Sequence, residues 1–489
     1  MFEKGRPGLT GVNLPEPEDE AALWADLPPK HRRRSALGLP ELSEPEVVRH
    51  FTHLSYKNFS IDAHFYPLGS CTMKFNPRLC EAAARMDGFA ALHPLQDAAD
   101  TQGALEIMWE LQQMLCALGG MDAFILTPLA GAQGEFTGMH LIRAWHKAQG
   151  RQRQIVLVPE AAHGTNPATA AMLGYRVVTV ATTAAGTVDV EDLKTKLGPD
   201  VAALMLTNPN TLGVFEKDIL EIAGLCHDVG AQLYYDGANL NAIAGRARPG
   251  DMGFDVVHFN LHKTFSTPHG GGGPGAGPVG VKRHLAPFLP PGVVERIMRD
   301  GKPFYSLSTE FADAPLERVG RLSAFQGNFG VVLRAWVYIR MLGLDGLRAM
   351  SALAVLAANY LKHRLMSAGF DVPYPQGAMH EFVVTLKKEA KETGVRAIDV
   401  AKRLIDFGIH PPTVYFPLLV PECFLIEPTE TADKETLDAF VTALTAIRSE
   451  MTSNPDMVHN APHTTPVQRV DEVRAARIPC LCWGGRDDE

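Results

Sequence analysis

Short apolar runs alternate with amphipathic helical segments through the middle of the chain. Between the third and fourth of these runs, apolar positions 219, 222, 223 and 226 have the spacing of a helix that covers a sheet. Apolar runs that are continuous instead of alternating are typical of strands buried on both faces. The pattern therefore predicts an α/β fold with a mostly parallel sheet covered by helices. The predicted strands span residues 155–158, 177–180, 202–206, 232–235 and 256–260.

The pattern changes on either side of this region and predicts three units. Residues 1–95 are rich in proline and acids and form an N-terminal arm with short helices, one capped by Ser43. Residues 96–343 form the large α/β domain, and residues 344–489 form a smaller α+β domain with an irregular tail. The smaller domain is predicted from a helix over 344–365, a strand over 381–386 and a helix over 397–407.

Two of the predicted strands deliver residues that a pyridoxal 5'-phosphate (PLP) enzyme requires. Asp236 directly follows the run at 232–235, and Lys263 follows the run at 256–260. In such enzymes a lysine amine forms a Schiff base with the cofactor, and a carboxylate keeps the pyridine nitrogen protonated. Most lysines and aspartates are solvated loop or turn residues. Here, however, polar residues 258, 260 and 262 alternate with apolar ones in a buried-looking strand, which is costly without a function.

Three further segments have residue types that could serve the same cofactor. Gly131, Ala132 and Gln133 precede a helical segment that ends near residue 148, and small residues at a helix N-terminus leave N–H groups for a phosphate. His163 could stack on a pyridine ring, and Asn208 has a donor suited to a ring hydroxyl. The alternatives are a structural glycine turn, a surface histidine and a proline turn.

Residues 275–280 match the spacing of a dinucleotide-binding glycine motif, but we predict no such site. Pro278 lies in what should be the first helical turn, and the motif does not open a βαβ unit. The glycine run at 270–273 is instead suited to close approach of the backbone to a cofactor or a second subunit.

Composition and charge exclude several classes of protein. A net charge of −9 over 489 residues argues against a nucleic-acid surface. Seven cysteines, an odd number, favour reduced thiols, and with no signal-like or membrane-spanning run this predicts a cytoplasmic protein without a membrane partner. No metal site is predicted, because Cys480 and Cys482 lack the gap of a zinc knuckle, and His258 and His262 lie in strand context.

With these residues in view, nearly the whole chain resembles the second (β) subunits of the two-subunit glycine dehydrogenases (decarboxylating), the P-protein of the glycine cleavage system. The most specific likeness lies in residues 260–280, and a departure lies in the cysteine-containing tail at 479–483. The other similar segments are residues 66–74, 163–167, 207–213, 234–242, 379–382, 427–430 and 461–466.

The resemblance implies a PLP-dependent transferase of fold type I, with a mostly parallel seven-stranded sheet. It implies that Lys263 bonds to the cofactor, that Asp236 pairs with the pyridinium nitrogen and that His163 stacks over the ring. The resemblance further implies that His262 and the backbone of Gly131, Ala132 and Gln133 bind the phosphate. It implies that Asn208 or Asn239 contacts the ring hydroxyl.

The resemblance also implies a reaction and partners. Glycine loses carbon dioxide, and the aminomethyl group passes to the lipoyl disulfide of H-protein. A separate α subunit of similar fold, lacking the lysine, completes the enzyme as an α2β2 heterotetramer. We expect the lipoyl arm to enter along the loop that carries Tyr66, Ser70 and Thr72.

Two alternatives remain open from the sequence. The first is a different PLP enzyme, such as an aminotransferase or a decarboxylase of a larger amino acid. An aminotransferase usually needs an arginine for the substrate carboxylate, and Arg246 and Arg248 follow the Asp236 strand. A non-catalytic subunit that keeps the fold is the other alternative. Retention of Lys263, Asp236 and His163 together argues against it.

Overall fold

The computed structural model describes residues 1–15, 18–25, 27–35, 38–270, 272–308 and 318–481. Its strands are, in chain order, β1 (Ala123–Ile125), β2 (Ile155–Pro159), β3 (Arg176–Val180), β4 (Val201–Leu206), β5 (Gln232–Gly237), β6 (Val256–Phe259), β7 (Val279–Val281), β8 (Val294–Arg299), β9 (Lys302–Leu307), β10 (Phe382–Thr385), β11 (Thr413–Val414) and β12 (Cys423–Ile426). The main sheet has seven strands in the order β1-β7-β6-β5-β4-β2-β3. Strands β3, β2, β4, β5 and β6 are parallel neighbours, whereas β7 is antiparallel to both β6 and β1.

Helices cover both faces of this sheet and also occur in the N-terminal arm and the C-terminal part. In chain order they are α1 (Glu20–Ala25), α2 (Glu44–Ser55), α3 (Arg78–Ala84), α4 (Asp87–Ala90), α5 (Gln102–Gly119), α6 (Gly131–Ala148), α7 (Thr165–Met172), α8 (Val190–Lys196), α9 (Ile219–Asp228), α10 (Phe329–Ser367), α11 (Lys387–Thr393), α12 (Ala397–Asp406), α13 (Lys434–Ser453), α14 (Pro455–His459) and α15 (Glu472–Arg477).

The hydrophobic pattern predicted this part of the fold correctly. All five predicted strands are present as β2 to β6, and every residue of β4 is buried. The predicted helix between β4 and β5 is α9, which buries Ile219, Ile222, Ala223 and Cys226. The observed bounds differ from the predicted ones by one or two residues. Strand β5 runs on to Gly237 and so contains Asp236, and β6 ends at Phe259, so Asn260 already belongs to the turn that carries Lys263. Because parallel strands end at one edge, the residues after β2, β4, β5 and β6 meet there.

A second, three-stranded sheet of order β10-β12-β11 lies in the C-terminal part and has its own hydrophobic core. Helix α10 contributes to both cores, and its path is broken at Gly343, where φ is 61° and ψ is −173°. The sequence predicted only the half of α10 that follows this break, with the strand β10 and the helix α12. The division at residues 95 and 343 stays a prediction.

The N-terminal arm crosses onto the C-terminal sheet. Helix α2 begins after Ser43, as predicted, and the Glu46 carboxylate accepts the Ser43 backbone N–H at 3.1 Å and its hydroxyl at 2.8 Å. Farther along, the Gly69 N–H donates to the Leu425 carbonyl of β12 at 3.2 Å. A Cβ at Gly69 would lie 2.7 Å from that carbonyl oxygen, so only glycine allows the loop to approach so closely.

Two other expectations concern membranes and dinucleotides. Helix α10 is long and apolar enough to cross a membrane by length and composition alone. Its residues Val332 and Leu361 are buried in the two cores, however, as in a core helix of a globular protein.

Residues 275–278 open no helix and lead into β7, which agrees with our rejection of the dinucleotide motif.

Candidate active site

A cavity of about 230 Å³ lies at the carboxyl edge of the main sheet. Its walls come from the turns after β2, β4, β5 and β6, from the start of α6, from the loop at residue 70 and from residues 380–381 of the C-terminal part. The cavity therefore lies where the arm and both cores meet.

Lys263 points into this cavity from a tight turn. Its backbone N–H donates to the Asn260 carbonyl at 3.1 Å, and its Nζ donates to the Ser70 carbonyl at 2.5 Å. Ser70 and Thr72 have positive φ values of 64° and 50°, which few residues other than glycine adopt without cost. The surrounding contacts hold this strained loop so that it presents a carbonyl to the lysine.

Asp236 is buried at the floor of the cavity, with 2% of its surface exposed. Its Oδ2 accepts from Asn166 Nδ2 at 2.8 Å, its Oδ1 accepts from the Ala238 N–H at 3.0 Å, and His258 Nε2 lies 3.4 Å away. Burial raises the pKa of Asp236, but the neighbouring His258 and His163 and the hydrogen bonds outweigh it, so the net pKa is lowered. Asp236 is therefore a carboxylate at neutral pH.

Glu135 on α6 stands behind Asp236 and was not predicted from the sequence. It accepts from Asn166 Nδ2 at 3.0 Å and from the Thr165 hydroxyl at 2.6 Å, while His163 Nδ1 lies 2.8 Å from the same hydroxyl oxygen. Burial and the Asp236 charge raise the pKa of Glu135 to about 7. This chain of bonds fixes His163 and Asp236 relative to each other.

The start of α6 forms the opposite end of the cavity. Its N-cap, Ala130, makes no side-chain capping bond, so the first N–H groups of the helix remain available to an anion. A Cβ at Gly131 would lie 2.6 Å from Asn260 Oδ1, and one at Gly277 would lie 2.2 Å from the Ala130 carbonyl oxygen. Glycine at both positions is therefore what allows this close packing.

His262 lines the same end of the cavity. Its Nδ1 accepts the Ala276 N–H at 3.2 Å, which leaves Nε2 to carry the proton and donate. Burial lowers the pKa of His262 to about 3, with Lys263 adding to the effect, so the ring is neutral. A neutral imidazole N–H and the helix N-terminus together form a cradle for a phosphate.

These residues fit PLP. The cradle suits its phosphate, the Asp236 carboxylate suits a protonated pyridine nitrogen, and Lys263 supplies the amine. Two buried polar atoms on the cavity wall, Thr207 Oγ1 and Asn260 Oδ1, have no hydrogen-bond partner among the described residues. Such atoms indicate a polar ligand, because buried polar groups are otherwise nearly always paired.

Two predicted residues, Asn208 and Gln133, have side chains behind the cavity wall, although the phosphate contact predicted for Gln133 is from its backbone. The Asn208 side chain is tied to the Glu216 backbone at 2.9 Å, and the Gln133 side chain accepts the Leu129 N–H at 2.6 Å and donates to the Leu322 carbonyl. Thr207 takes the place in the wall that Asn208 was expected to have. Ala132 and Asn239 do line the cavity.

Of the predicted channel loop, only Ser70 reaches the cavity. Tyr66 stacks on His410 with ring centroids 3.5 Å apart, and Thr72 is buried against Glu427. Its hydroxyl lies 3.0 Å from Glu427 Oε1, and the same oxygen accepts Asn239 Nδ2 at 2.8 Å.

Arg246 and Arg248, the candidate carboxylate-binding residues of an aminotransferase, lie outside the cavity. Both are exposed, with Arg246 bonded to the Arg348 carbonyl at 2.8 Å and Arg248 to Asp251 at 2.7 Å. Among the described residues, the cavity wall contains no arginine.

A further wall of the cavity is acidic and was missed by sequence reasoning. Glu381 and His380 line the cavity, and Glu427 lies directly behind them. The sequence did contain a signal: Glu381 directly precedes β10 and Glu427 directly follows β12, and a charged residue next to a fully buried strand is unusual.

The seven-stranded sheet, with a lysine and a buried aspartate at its carboxyl edge, defines a PLP-dependent enzyme of fold type I. Residues 137–307 match the family model for aminotransferase class-V, and residues 350–465 match the model for the glycine dehydrogenase C-terminal domain. The chain belongs to the family of glycine dehydrogenase (decarboxylating) subunit 2. A probable member from Methylococcus capsulatus is 56% identical over 99% of this chain and 98% of its own length.

Similar relatives come from distant organisms. The probable subunit 2 of Thermotoga maritima is 53% identical over 99% of this chain and all of its own length. The probable subunit 2 of Pyrococcus furiosus is 52% identical over 99% of this chain and 95% of its own length. Among solved structures, a glycine decarboxylase (P-protein) of the glycine cleavage system in inhibitor-bound form has a TM-score of 0.74 and 23% identity, covering 88% of this chain and 95% of that chain. That last likeness supports the fold.

Proposed function

We propose that this chain is the PLP-carrying subunit of a glycine dehydrogenase (decarboxylating). It removes carbon dioxide from glycine and passes the aminomethyl group to the lipoyl arm of H-protein in the cytoplasm. The observation that carries the proposal is the meeting of Lys263, Asp236 and a phosphate cradle in one cavity. The named relatives support the choice of glycine as substrate.

Lys263, Ser70 and Asp236 have different roles in this reaction. Lys263 is the amine to which PLP would be attached, and Ser70 holds that amine through its carbonyl. Asp236, ionised and bonded to Asn166, stabilises positive charge at the floor of the cavity. When bound, PLP accepts the electron pair that remains on the α-carbon of glycine after carbon dioxide leaves.

The cavity also explains why decarboxylation is favoured over transamination. An aminotransferase holds its substrate carboxylate with a charged donor, and the described cavity wall offers no arginine for that purpose. A carboxylate that is weakly hydrated and unpaired is easier to lose as neutral carbon dioxide.

The partners follow from the two-chain organisation of the family. An α subunit without the lysine completes the proposed α2β2 enzyme. We propose that the lipoyl arm of H-protein passes Ser70, with Tyr66 and Thr72 supporting that loop from behind.

The test is exchange of labelled carbon dioxide into glycine by the chain with PLP, lipoylated H-protein and the α subunit. Exchange should require all four components and should be lost in Lys263→Ala. Arg246→Ala, which changes the exposed arginine, is the matched control and should keep full exchange. Amino-group transfer from glycine to a 2-oxo acid without H-protein would identify an aminotransferase and contradict the proposal.

A further inference from the structure

The acidic wall of the cavity contains a pair of carboxyl groups that the proposed roles do not use. The end residues Phe382 and Ile426 of the antiparallel strands β10 and β12 are Cα partners. Glu381 and Glu427, the next residues outward, are therefore brought together. With His380 they form a buried cluster in which one polar atom of each lies within 4.8 Å of the others.

The two carboxyl groups have different environments. Glu427 is fully buried and accepts from the Thr72 N–H at 3.2 Å, the Thr72 hydroxyl at 3.0 Å and the amides of Asn239 and Asn241 at 2.8 and 3.2 Å. So many donors favour its ionised form. This saturation also argues against a metal ion at the cluster, because Glu427 has little capacity left for a cation.

Among the described residues, Glu381 accepts a hydrogen bond from a single donor. Its Oε2 accepts the Ser70 N–H at 2.9 Å, and its Oε1 lies 3.7 Å from His380 Nε2, beyond hydrogen-bond distance. Ser70 therefore connects Glu381 to Lys263, since its N–H contacts one and its carbonyl the other. Glu381 is 3% exposed and lines the cavity, whereas Glu427 does not.

Two carboxylates so close together in a buried site cannot both be ionised, so the pair holds one proton. Burial and the Glu427 charge raise the pKa of Glu381 well above its usual range, despite the nearby Lys263. Burial raises the pKa of Glu427 to about 7, against the effect of its donors. Three other titratable groups act on the pair. Cys71, whose pKa burial raises, and His380, whose pKa burial lowers to about 3, are neutral. Glu430, which is paired with Lys74, adds to the rise in the pKa of Glu427.

We propose that Glu381 is the proton donor of this active site and that Glu427 is a positioning residue that keeps the proton on it. The role rests on the proposed function. As the carbon–carboxylate bond of glycine breaks, the α-carbon bonds to one sulfur of the disulfide and the sulfur–sulfur bond breaks. The other sulfur takes the electron pair and receives the proton from Glu381, giving a thiol. Solvent then returns one proton to Glu381, which balances the reaction.

The first test needs neither PLP nor turnover. Infrared difference spectra between the wild-type chain and Glu381→Gln, recorded across pH, should show a protonated carboxyl stretch at neutral pH that the variant lacks. In Glu427→Gln the pH midpoint of that band should fall, because the neighbouring charge is gone. The exposed Glu191→Gln is the control and should leave the band unchanged. A wild-type difference containing only carboxylate bands at neutral pH overturns the proposal.

The second test measures turnover with H-protein. Glu381→Gln should keep PLP binding but lower kcat about 10²- to 10⁴-fold, which is the rate enhancement that a general acid usually contributes. Glu381→Asp should recover part of the lost kcat. Unchanged kcat in Glu381→Gln overturns the proton-donor role even if the infrared band is present. If the wild-type enzyme itself shows no H-protein-dependent exchange, the proposed function fails, while the infrared result on the carboxyl pair stands.

Discussion

A buried ion pair anchors the loop that holds Lys263, and breaking it should be costly. Lys74 Nζ lies 2.8 Å from Glu430 Oε1 and also donates to the Tyr338 hydroxyl at 3.1 Å. The Lys74 and Glu430 side chains are only 1% and 9% exposed. Lys74 ends the 66–74 loop, so the pair fixes the strained backbone at Ser70 to the turn after β12.

The perturbation is Lys74→Met, which keeps the length of the side chain and removes its charge. At 2.8 Å and an effective dielectric constant of about 20, the attraction is about 6 kcal/mol. Removing one partner of a buried pair costs about 3–5 kcal/mol, because the other charge is left unpaired. Within the described part of the chain, Glu430 Oε2 has no hydrogen-bond partner, so it cannot compensate.

The assay is urea unfolding of the wild-type chain and the variant. Lys434→Met is the matched control: Lys434 lies 2.7 Å from Asp438, but its side chain is 71% exposed, so no measurable change is expected. Burial lowers the pKa of Lys74, yet Glu430 and Tyr338 outweigh it, and the net pKa is raised. Between about pH 6 and 9, below the unfolded pKa of lysine, the contribution is therefore fully present and constant, and it is lost as the pH rises through the raised pKa of folded Lys74.

The reasoning is refuted if Lys74→Met and Lys434→Met lower the free energy of unfolding equally. It is supported further if Lys74→Met also weakens PLP binding, since the Ser70 carbonyl would no longer be held against Lys263.

Three further predictions concern the cavity. Gly277→Ala, whose Cβ would meet the Ala130 carbonyl, should cost about 1–3 kcal/mol of PLP affinity in a titration. Gly103→Ala in α5 is the control, since a Cβ there would meet no described atom within 4 Å, and it should raise the free energy of unfolding by about 0.5–1 kcal/mol. Equal effects of Gly277→Ala and Gly103→Ala on PLP binding would count against the phosphate cradle. Asp236→Asn should keep the fold but slow decarboxylation at least about 100-fold, since it removes the charge at the cavity floor; an unchanged rate would exclude that role. Glu135 has its pKa raised from 4.5 to about 7, so its contribution to stability is present below pH 4.5 and is lost as the pH rises through 7. Glu135→Gln should therefore gain stability relative to wild type, on the order of 3 kcal/mol, between those pH values in thermal unfolding. A constant difference across pH would show that Glu135 does not titrate in this range.

The sequence revealed those site residues that follow continuous apolar strands. Asp236 lies at the carboxyl end of β5 and Lys263 in the turn that follows β6, and parallel topology alone brings them to one edge. The strand pattern could not reveal Glu135, because it faces the site from within a helix whose period gives no reason to single it out.

The rest of the site depends on contacts between distant segments. Glu381 and Glu427 meet only through the antiparallel register of β10 and β12, and Ser70 reaches Lys263 only because the arm crosses β12. Local patterns carry no information on such pairings. The half of α10 that precedes the break at Gly343 was likewise not predicted. Residues 329–342 are apolar around most of the helix and lack a clear apolar stripe.

The central claim, that Lys263 and its cavity form a PLP site acting on glycine, is tested most directly by visible absorption. Spectra of the purified chain with PLP would be recorded beside Lys263→Ala, before and after glycine, with and without the α subunit. The account predicts a cofactor band that requires Lys263 and changes when glycine is added. A band of equal position and strength in Lys263→Ala, or none in the wild-type chain even with the α subunit present, would contradict it.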